Sequence, residues 1–493
     1  MAFRIRQATA SNRSIEITMA NIYRVACAAG FSGDRVDVAK PLVAEILKKG
    51  GPACLIFESL AERTLALAQL ERQQDQTKGY EPLLREMLEP ILSDCVQNGI
   101  PIVGNFGAAN PAAAAECVAQ IAREKNLPPL KIAIVQGDDI SSADMRDVIE
   151  SRLSQADLDS LKNSQLVSAN VYLGAREIAD ALQAGAQVVI TGRVADPALT
   201  VGPLMAHFKR SWDDWNFLGS ATMAGHLLEC GAQVTGGYFS DPGMKDVPDL
   251  ANVGFPIVEF DENGNGCITK PSNTGGVVNR MTVTEQLLYE VHNPAQYLTP
   301  DVVADISQIQ LDDLGANRVA FSGVLGHPRP ENLKANICID GGWLAEAEIS
   351  YAGHNAYQRA QLAAQIIRER LSPFLELRVD FIGSSSVFSS DLGKGPQFTA
   401  EGGFEDIRLR VAAAHQMKSE ANRVCREVTA LYTCGPAGGG GVRTSIRPRL
   451  NTLVCLIPRE YIRASYVFST TNTKARKGII LAGGSGTRLY PAT

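Results

Sequence analysis

Between residues 12 and 260, short unbroken apolar runs alternate with segments of helical pattern, and this alternation constrains the fold more than anything else in the chain. The apolar runs are Ala53-Cys-Leu-Ile-Phe-Glu58, Ile100-Pro-Ile-Val-Gly-Asn105, Leu130-Lys-Ile-Ala-Ile-Val135 and Gln187-Val-Val-Ile-Thr191. Helical segments lie between them: Pro41 to Lys49 with one apolar face, Pro111 to Glu124 opened by proline, and Ala175 to Ala184 closed by Gly185. A strand that is apolar on both faces must be covered on both faces, which is how parallel sheets are built. The expected fold is therefore α/β: a mainly parallel sheet flanked by helices, followed by a smaller α+β C-terminal domain. The texture changes after about residue 252, where strands become shorter and more polar, so 1–371 is read as one α/β region with a break near 252. A helix is expected from Asn355 to Arg370, stopping before Ser372-Pro373. Residues 372–468 read as a β-α-β unit: strands 377–382, 407–412 and 453–458, a helix 419–431, and a flexible Gly438–Gly441 loop.

Composition narrows the function classes. Apolar residues are 45% and charged residues 20% of 493, ordinary for a globular protein. The net charge of −6 and the lack of a basic run argue against nucleic acid, where affinity comes from neutralising phosphates. No apolar stretch reaches the ~18 residues of a membrane span, and no apolar signal core follows the N-terminus, so a cytoplasmic setting is expected. The ten cysteines are scattered without Cys-x-x-Cys, which fits reduced thiols and gives no zinc-site spacing.

In parallel sheets, ligands gather beyond the carboxyl ends of the strands. Three such ends carry candidates. Gly104-Asn105-Phe-Gly107-Ala-Ala-Asn110-Pro offers glycines, amides and a helix start to an anion, or is simply a tight turn. Gln136-Gly-Asp138-Asp139 places two carboxylates where they could bind a metal or a ribose, or cap a helix. Thr191-Gly192-Arg193-Val-Ala-Asp196-Pro holds the best single candidate, Arg193. Its guanidinium could clamp a carboxylate or phosphate with Asp196 orienting it, or pair with Asp196 to fix the loop. Further along, His226, Glu229 and Cys230 share one helix face, an arrangement suited to acid–base work or to a structural polar cluster. Two Thr-Gly-Gly turns, Thr235-Gly236-Gly237 and Thr274-Gly275-Gly276, the second beside Lys270, offer hydroxyl and backbone donors.

The succession Gly104-Asn-Phe-Gly-Ala-Ala-Asn-Pro111, Thr191-Gly-Arg-Val-Ala-Asp-Pro197, Gly225-His-Leu-Leu-Glu-Cys-Gly231, the two Thr-Gly-Gly turns and Glu348-Ile-Ser-Tyr-Ala-Gly353 resembles the acyclic terpene utilisation (AtuA) family over roughly residues 14–460. The resemblance implies a part in the bacterial breakdown of acyclic terpenes and related branched acids, with CoA thioesters as possible substrate carriers. It also implies carboxylase or hydratase partners in the same route. The last stretch, Lys477-Gly-Ile-Ile-Leu-Ala-Gly-Gly-Ser-Gly-Thr-Arg-Leu-Tyr-Pro-Ala-Thr493, is similar instead to the opening of the sugar-1-phosphate nucleotidyltransferases, above all the glucose-1-phosphate thymidylyltransferases. That second resemblance would make Gly483, Gly484, Gly486, Thr487 and Arg488 the nucleotide-binding residues. The sheet such a domain needs is not in this sequence, so residues 469–493 are read as an unstructured tail, a fusion scar or gene junction.

Together these readings point to a cytoplasmic protein acting on a branched or terpenoid acid or its CoA thioester. His226 and Glu229 would be the acid–base pair, and Arg193 with Asp196 the anion site. Gly104, Asn105, Gly107, Asn110, Asp138, Thr191, Gly192 and the Thr-Gly-Gly turns would complete the ligand contacts. No metal is expected, and a homo-oligomer is. The rival reading is a non-catalytic subunit or scaffold of an acyl-CoA-processing complex; a sugar-1-phosphate nucleotidyltransferase would rest on the tail alone.

Overall fold

A computed structural model describes residues 21–373, 375–384 and 406–469; the glycine-rich tail motif lies outside them. In chain order the strands of the first part are β1 (Tyr23–Cys27), β2 (Ala53–Phe57), β3 (Ile102–Gly104), β4 (Ile132–Gln136), β5 (Leu166–Val171) and β6 (Val188–Ile190). Then come β7 (Ile257–Phe260), β8 (Gly266–Thr269), β9 (Tyr297–Leu298), β10 (Val303–Asp305), β11 (Gln310–Asp313), β12 (Val319–Ser322) and β13 (Leu325–His327). The last are β14 (Asn332–Ala352), β15 (Arg378–Ile382), β16 (Asp406–His415), β17 (Gly440–Pro458) and β18 (Ser465–Phe468).

Ten of these form one sheet in the order β11-β12-β8-β7-β1-β2-β3-β6-β4-β18. The centre, β1-β2-β3-β6-β4, is parallel. Both flanks are antiparallel: β7 pairs β1, β8 and β12 follow, and β18 closes the far edge on β4. This corrects the expectation of a mainly parallel sheet: the sheet is mixed, because non-local strands cover both edges of a parallel core that would otherwise present unpaired backbone.

Alternate residues of the central strands feed two cores. Val25, Ile56, Val103 and Val189 face one side, and Ala26, Leu55, Phe57, Ile102 and Ile190 the other. The helix after β3, Pro111–Glu124, packs on the second side, whereas the helix after β6, Ala198–Phe208, packs on the first. Neighbouring strands β3 and β6 thus send the chain to opposite faces. Their carboxyl ends form the topological switch point, where sheets of this kind bind ligands.

A second sheet runs β15-β16-β14-β17, and β5 pairs with the first half of β14. Helices Ala356–Leu371 and Arg423–Cys434 cover one face of it. Gly440 and Gly441, expected in a flexible loop, instead open the 19-residue strand β17. A third, three-stranded sheet is β13-β10-β9. No described helix is long and apolar enough to cross a membrane.

Candidate functional site

The switch point gathers polar groups from four loops. Glu58, directly after β2, is 8% exposed. Its Oε1 accepts from Asn105 Nδ2 at 2.8 Å and from the Leu60 N–H at 2.9 Å. Asn105, at the end of β3, accepts in turn from the Ser59 N–H at 2.8 Å, so the two loops lock each other. Asp138, after β4, accepts from the Arg193 N–H at 2.8 Å and from Asn170 Nδ2 at 3.0 Å. A Cβ on Gly192 would lie 2.6 Å from that carboxylate, and one on Gly107 would lie 2.6 Å from the Thr191 carbonyl. Glycine at both positions is what allows the β3 and β6 loops to close on each other.

Arg193 is fully buried and its donors are spent inside the protein. Nε and Nη2 donate to the Val194 carbonyl at 2.9 and 2.6 Å, Nη1 donates to the Leu60 carbonyl, and Nη2 also donates to Asp196. The guanidinium stacks on the Tyr172 ring with 4.5 Å to its centre. Tyr172 donates to Glu62, which Lys334 also approaches at 3.4 Å. Of the two expected arrangements, this geometry is that of an Arg193–Asp196 pair fixing the loop. Arg193 does not extend toward a ligand with Asp196 behind it; Arg193 is the buried anchor, and Asp196, with 39% of its side chain exposed, is the group presented outward.

The second cluster lies on the helix Trp215–Glu229. His226 Nδ1 is 2.9 Å from Glu229 Oε1 and 3.4 Å from the Tyr297 hydroxyl. Gln286 holds the backbone there, donating to the His226 carbonyl at 3.1 Å. Among the described residues, His226 Nε2 and Glu229 Oε2 are buried without a hydrogen-bond partner. This helix touches the Arg193 loop closely: a Cβ on Gly225 would lie 2.7 Å from Pro197 Cα and from its carbonyl oxygen.

The electrostatics couple the two clusters. Burial, and next the charge of Asp196, push the Glu58 carboxyl up to about 8. Burial pushes Glu229 up to about 7 against the pull of His226, with Asp196 adding to the rise. Burial also raises Asp138 to about 6, although the Arg193 N–H and Asn170 oppose it. His226 moves up: burial disfavours its cation, but Glu229 outweighs that. Burial likewise opposes ionisation of Glu62, yet the Tyr172 hydroxyl and Lys334 hold it at about 2. A buried carboxyl shifted toward neutrality beside an imidazole, as Glu229 is beside His226, can exchange protons at working pH.

Other expected contacts lie elsewhere. Asn110 caps the helix Pro111–Glu124, accepting from the Ala113 N–H at 3.3 Å and donating to the Gln76 and Lys78 carbonyls at 2.9 and 2.7 Å. The two Thr-Gly-Gly turns pack on each other, with the Val277 N–H on the Thr235 carbonyl at 2.8 Å. The N–H groups of Gly236, Gly237, Gly275 and Gly276 donate to Gln233, Ala232, Asn252 and Pro248, and Lys270 Nζ donates to the Thr274 carbonyl at 2.7 Å. Those donors are occupied within the fold. Gly104 sits under the Phe106 ring, and Thr191 turns its hydroxyl to the Gly192 carbonyl at 3.0 Å. Glu58, Tyr172 and Tyr297 were not among the expected site residues. Glu58 alone had a signal, an acid closing a buried run. Among the described residues no cluster of three or more His, Cys, Asp or Glu side chains could hold a metal ion.

No curated protein matches this chain. Residues 23–468, which span both clusters, match the family described as acyclic terpene utilisation family protein AtuA. The chain belongs to the AtuA family, and with it to acyclic terpene utilisation.

Proposed function

We propose that this protein is a cytoplasmic enzyme that moves a proton on a branched or terpenoid carboxylic acid, or on its CoA thioester. The observation that carries the reading is the pair of buried carboxyls Glu58 and Glu229, the second bonded to His226, both acted on by the charge of the half-exposed Asp196 beside the sheet's switch point. Two atoms there, His226 Nε2 and Glu229 Oε2, are buried without a hydrogen-bond partner among the described residues. Glu229 holds Nδ1, which leaves Nε2 as the nitrogen that takes or gives the proton. Glu58, raised to about 8, serves as the second proton carrier. Asp196 reaches outward, and Arg193 fixes it and balances the surrounding carboxylates. A carboxylase or a hydratase would act before or after it on the same substrate.

The test is a thermal-shift screen of the purified protein. Ligands would be geranyl, citronellyl and methylcrotonyl thioesters of CoA, the free acids, and CoA alone. Binding to the folded state raises the melting point by mass action. A larger shift with branched acids or thioesters than with CoA, lost in His226→Gln, supports the reading. A flat response to every acyl compound overturns it in favour of a non-catalytic subunit.

A further inference from the structure

A cavity of about 410 Å³ lies away from these carboxyls, between the starts of helices Arg176–Gln183 and Trp215–Glu229. Its walls include Arg176, Trp212, Trp215 and Arg329, so two of the chain's three tryptophans line it. The Arg176 guanidinium sits 4.9 Å from the centre of the Trp212 ring. Both arginines are exposed, and neither has a hydrogen-bonded or ion-paired partner among the described residues. Glu177 and Asp301 lie close enough for the arginine charges to act on them, Glu177 feeling both arginines and Asp301 feeling Arg329, without a hydrogen bond to either guanidinium among the described residues. Asp301 accepts from the Ala175 N–H at 3.1 and 2.9 Å, capping the first helix, and Asp214 caps the second at 3.3 Å. Asp213, at the rim, accepts from the Ser211 hydroxyl.

We infer that this cavity binds a small molecule that joins a flat ring to a phosphate, the nucleotide class. Two guanidiniums whose N–H donors make no hydrogen bond among the described residues suit phosphate oxygens, since the planar fork delivers paired N–H donors. Stacking on Trp212 holds Arg176 in place before the ligand arrives, which lowers the ordering cost of binding. The indole walls would be superfluous for a bare anion, and the arginines would be superfluous for an apolar acid. Asp213 offers an acceptor to an exocyclic amine on the ring. The volume is within the range of small-molecule sites, roughly 300–1,000 Å³. Tyr172, under Arg193, and Arg176 are joined by so short a segment that their Cα atoms lie within about 14 Å. A nucleotide with an arm could therefore span toward the carboxyl cluster, but the inference stands whether or not that cluster is catalytic.

The test is tryptophan fluorescence of the intact protein, titrated with ADP, coenzyme A and inorganic phosphate. A saturable change with ADP or coenzyme A, weakened about tenfold or more in an Arg176→Ala/Arg329→Ala variant of unchanged melting point, is expected. Both arginines are exposed, so the variant should fold. Tighter binding of coenzyme A than ADP identifies a carrier thioester as the source; equal binding identifies a free nucleotide. No saturable change, an unaffected double variant, or phosphate competing as well as ADP would each overturn the inference.

Discussion

Replacing Arg193 by methionine separates an internal anchor from a ligand clamp. The side chain is 2% exposed and supplies N–H donors to the Val194 and Leu60 carbonyls and to Asp196. Methionine keeps much of the volume and removes the charge and the donors. Two buried carbonyls lose their partners, each worth about 1–3 kcal/mol. Glu58 and Asp196 lose the nearest cation, and breaking a buried pair costs about 3–5 kcal/mol. The Asp196 share is discounted, because 39% of that side chain meets solvent and water screens it. The two carbonyls alone give about 2–6 kcal/mol and the discounted pair adds to this, so a loss of at least about 2 kcal/mol follows, read as a lower urea midpoint at unchanged slope. Arg193→Lys should recover only part, since an ammonium cannot reproduce the planar fork. A loss below about 1 kcal/mol would refute the anchor and return Arg193 to the role of a ligand-facing clamp.

Two further perturbations probe the same region. Glu58→Gln should flatten the pH dependence of stability. The wild-type carboxyl is raised from 4.5 to about 8 in the fold, so the folded state holds a proton that the unfolded chain gives up. Its contribution is fully present below the unfolded value and is lost as pH rises toward 8, by a few kcal/mol at about 1.4 kcal/mol per unit. The glutamine carbonyl can still accept from Asn105 and Leu60, so the variant should be relatively more stable than wild type at high pH; equal pH profiles in thermal melts would contradict this. Gly225→Ala puts a Cβ 2.7 Å from Pro197 backbone atoms and should cost about 1–3 kcal/mol of unfolding free energy. Gly440→Ala, with nothing among the described residues within 4 Å of the added Cβ, should be near neutral; equal effects at both positions would show that the helix contact is not tight.

The local elements were legible in the sequence. Helices read at 41–49, 111–124 and 175–184 are Ala39–Lys49, Pro111–Glu124 and Arg176–Gln183, and the apolar runs became β2, β3, β4 and β6. Periodicity and apolar runs are local signals, so they survive without tertiary context. Mixed sheet polarity did not, because β7, β12 and β18 reach their edges by long-range pairing that no local pattern encodes. The site divides the same way. Strand-end position pointed to Asn105, Asp138 and Arg193, and helical spacing paired His226 with Glu229, 2.9 Å apart. That Arg193 spends its donors on Leu60, from a different loop, depends on how two loops meet. Tyr297 arrives from a two-residue strand with no sequence signature.

The central claim is proton transfer at the His226–Glu229–Glu58 cluster, and solvent-deuterium exchange tests it most directly. The protein would be incubated in D₂O with citronellyl-CoA and with free citronellic acid, and deuterium gain at carbon read by mass spectrometry. The account predicts enzyme-dependent incorporation that falls by about a hundredfold or more in His226→Gln and in Glu58→Gln, the usual scale for removing a general acid or base. Incorporation that survives both substitutions, or none with any branched acyl compound that binds, would contradict it.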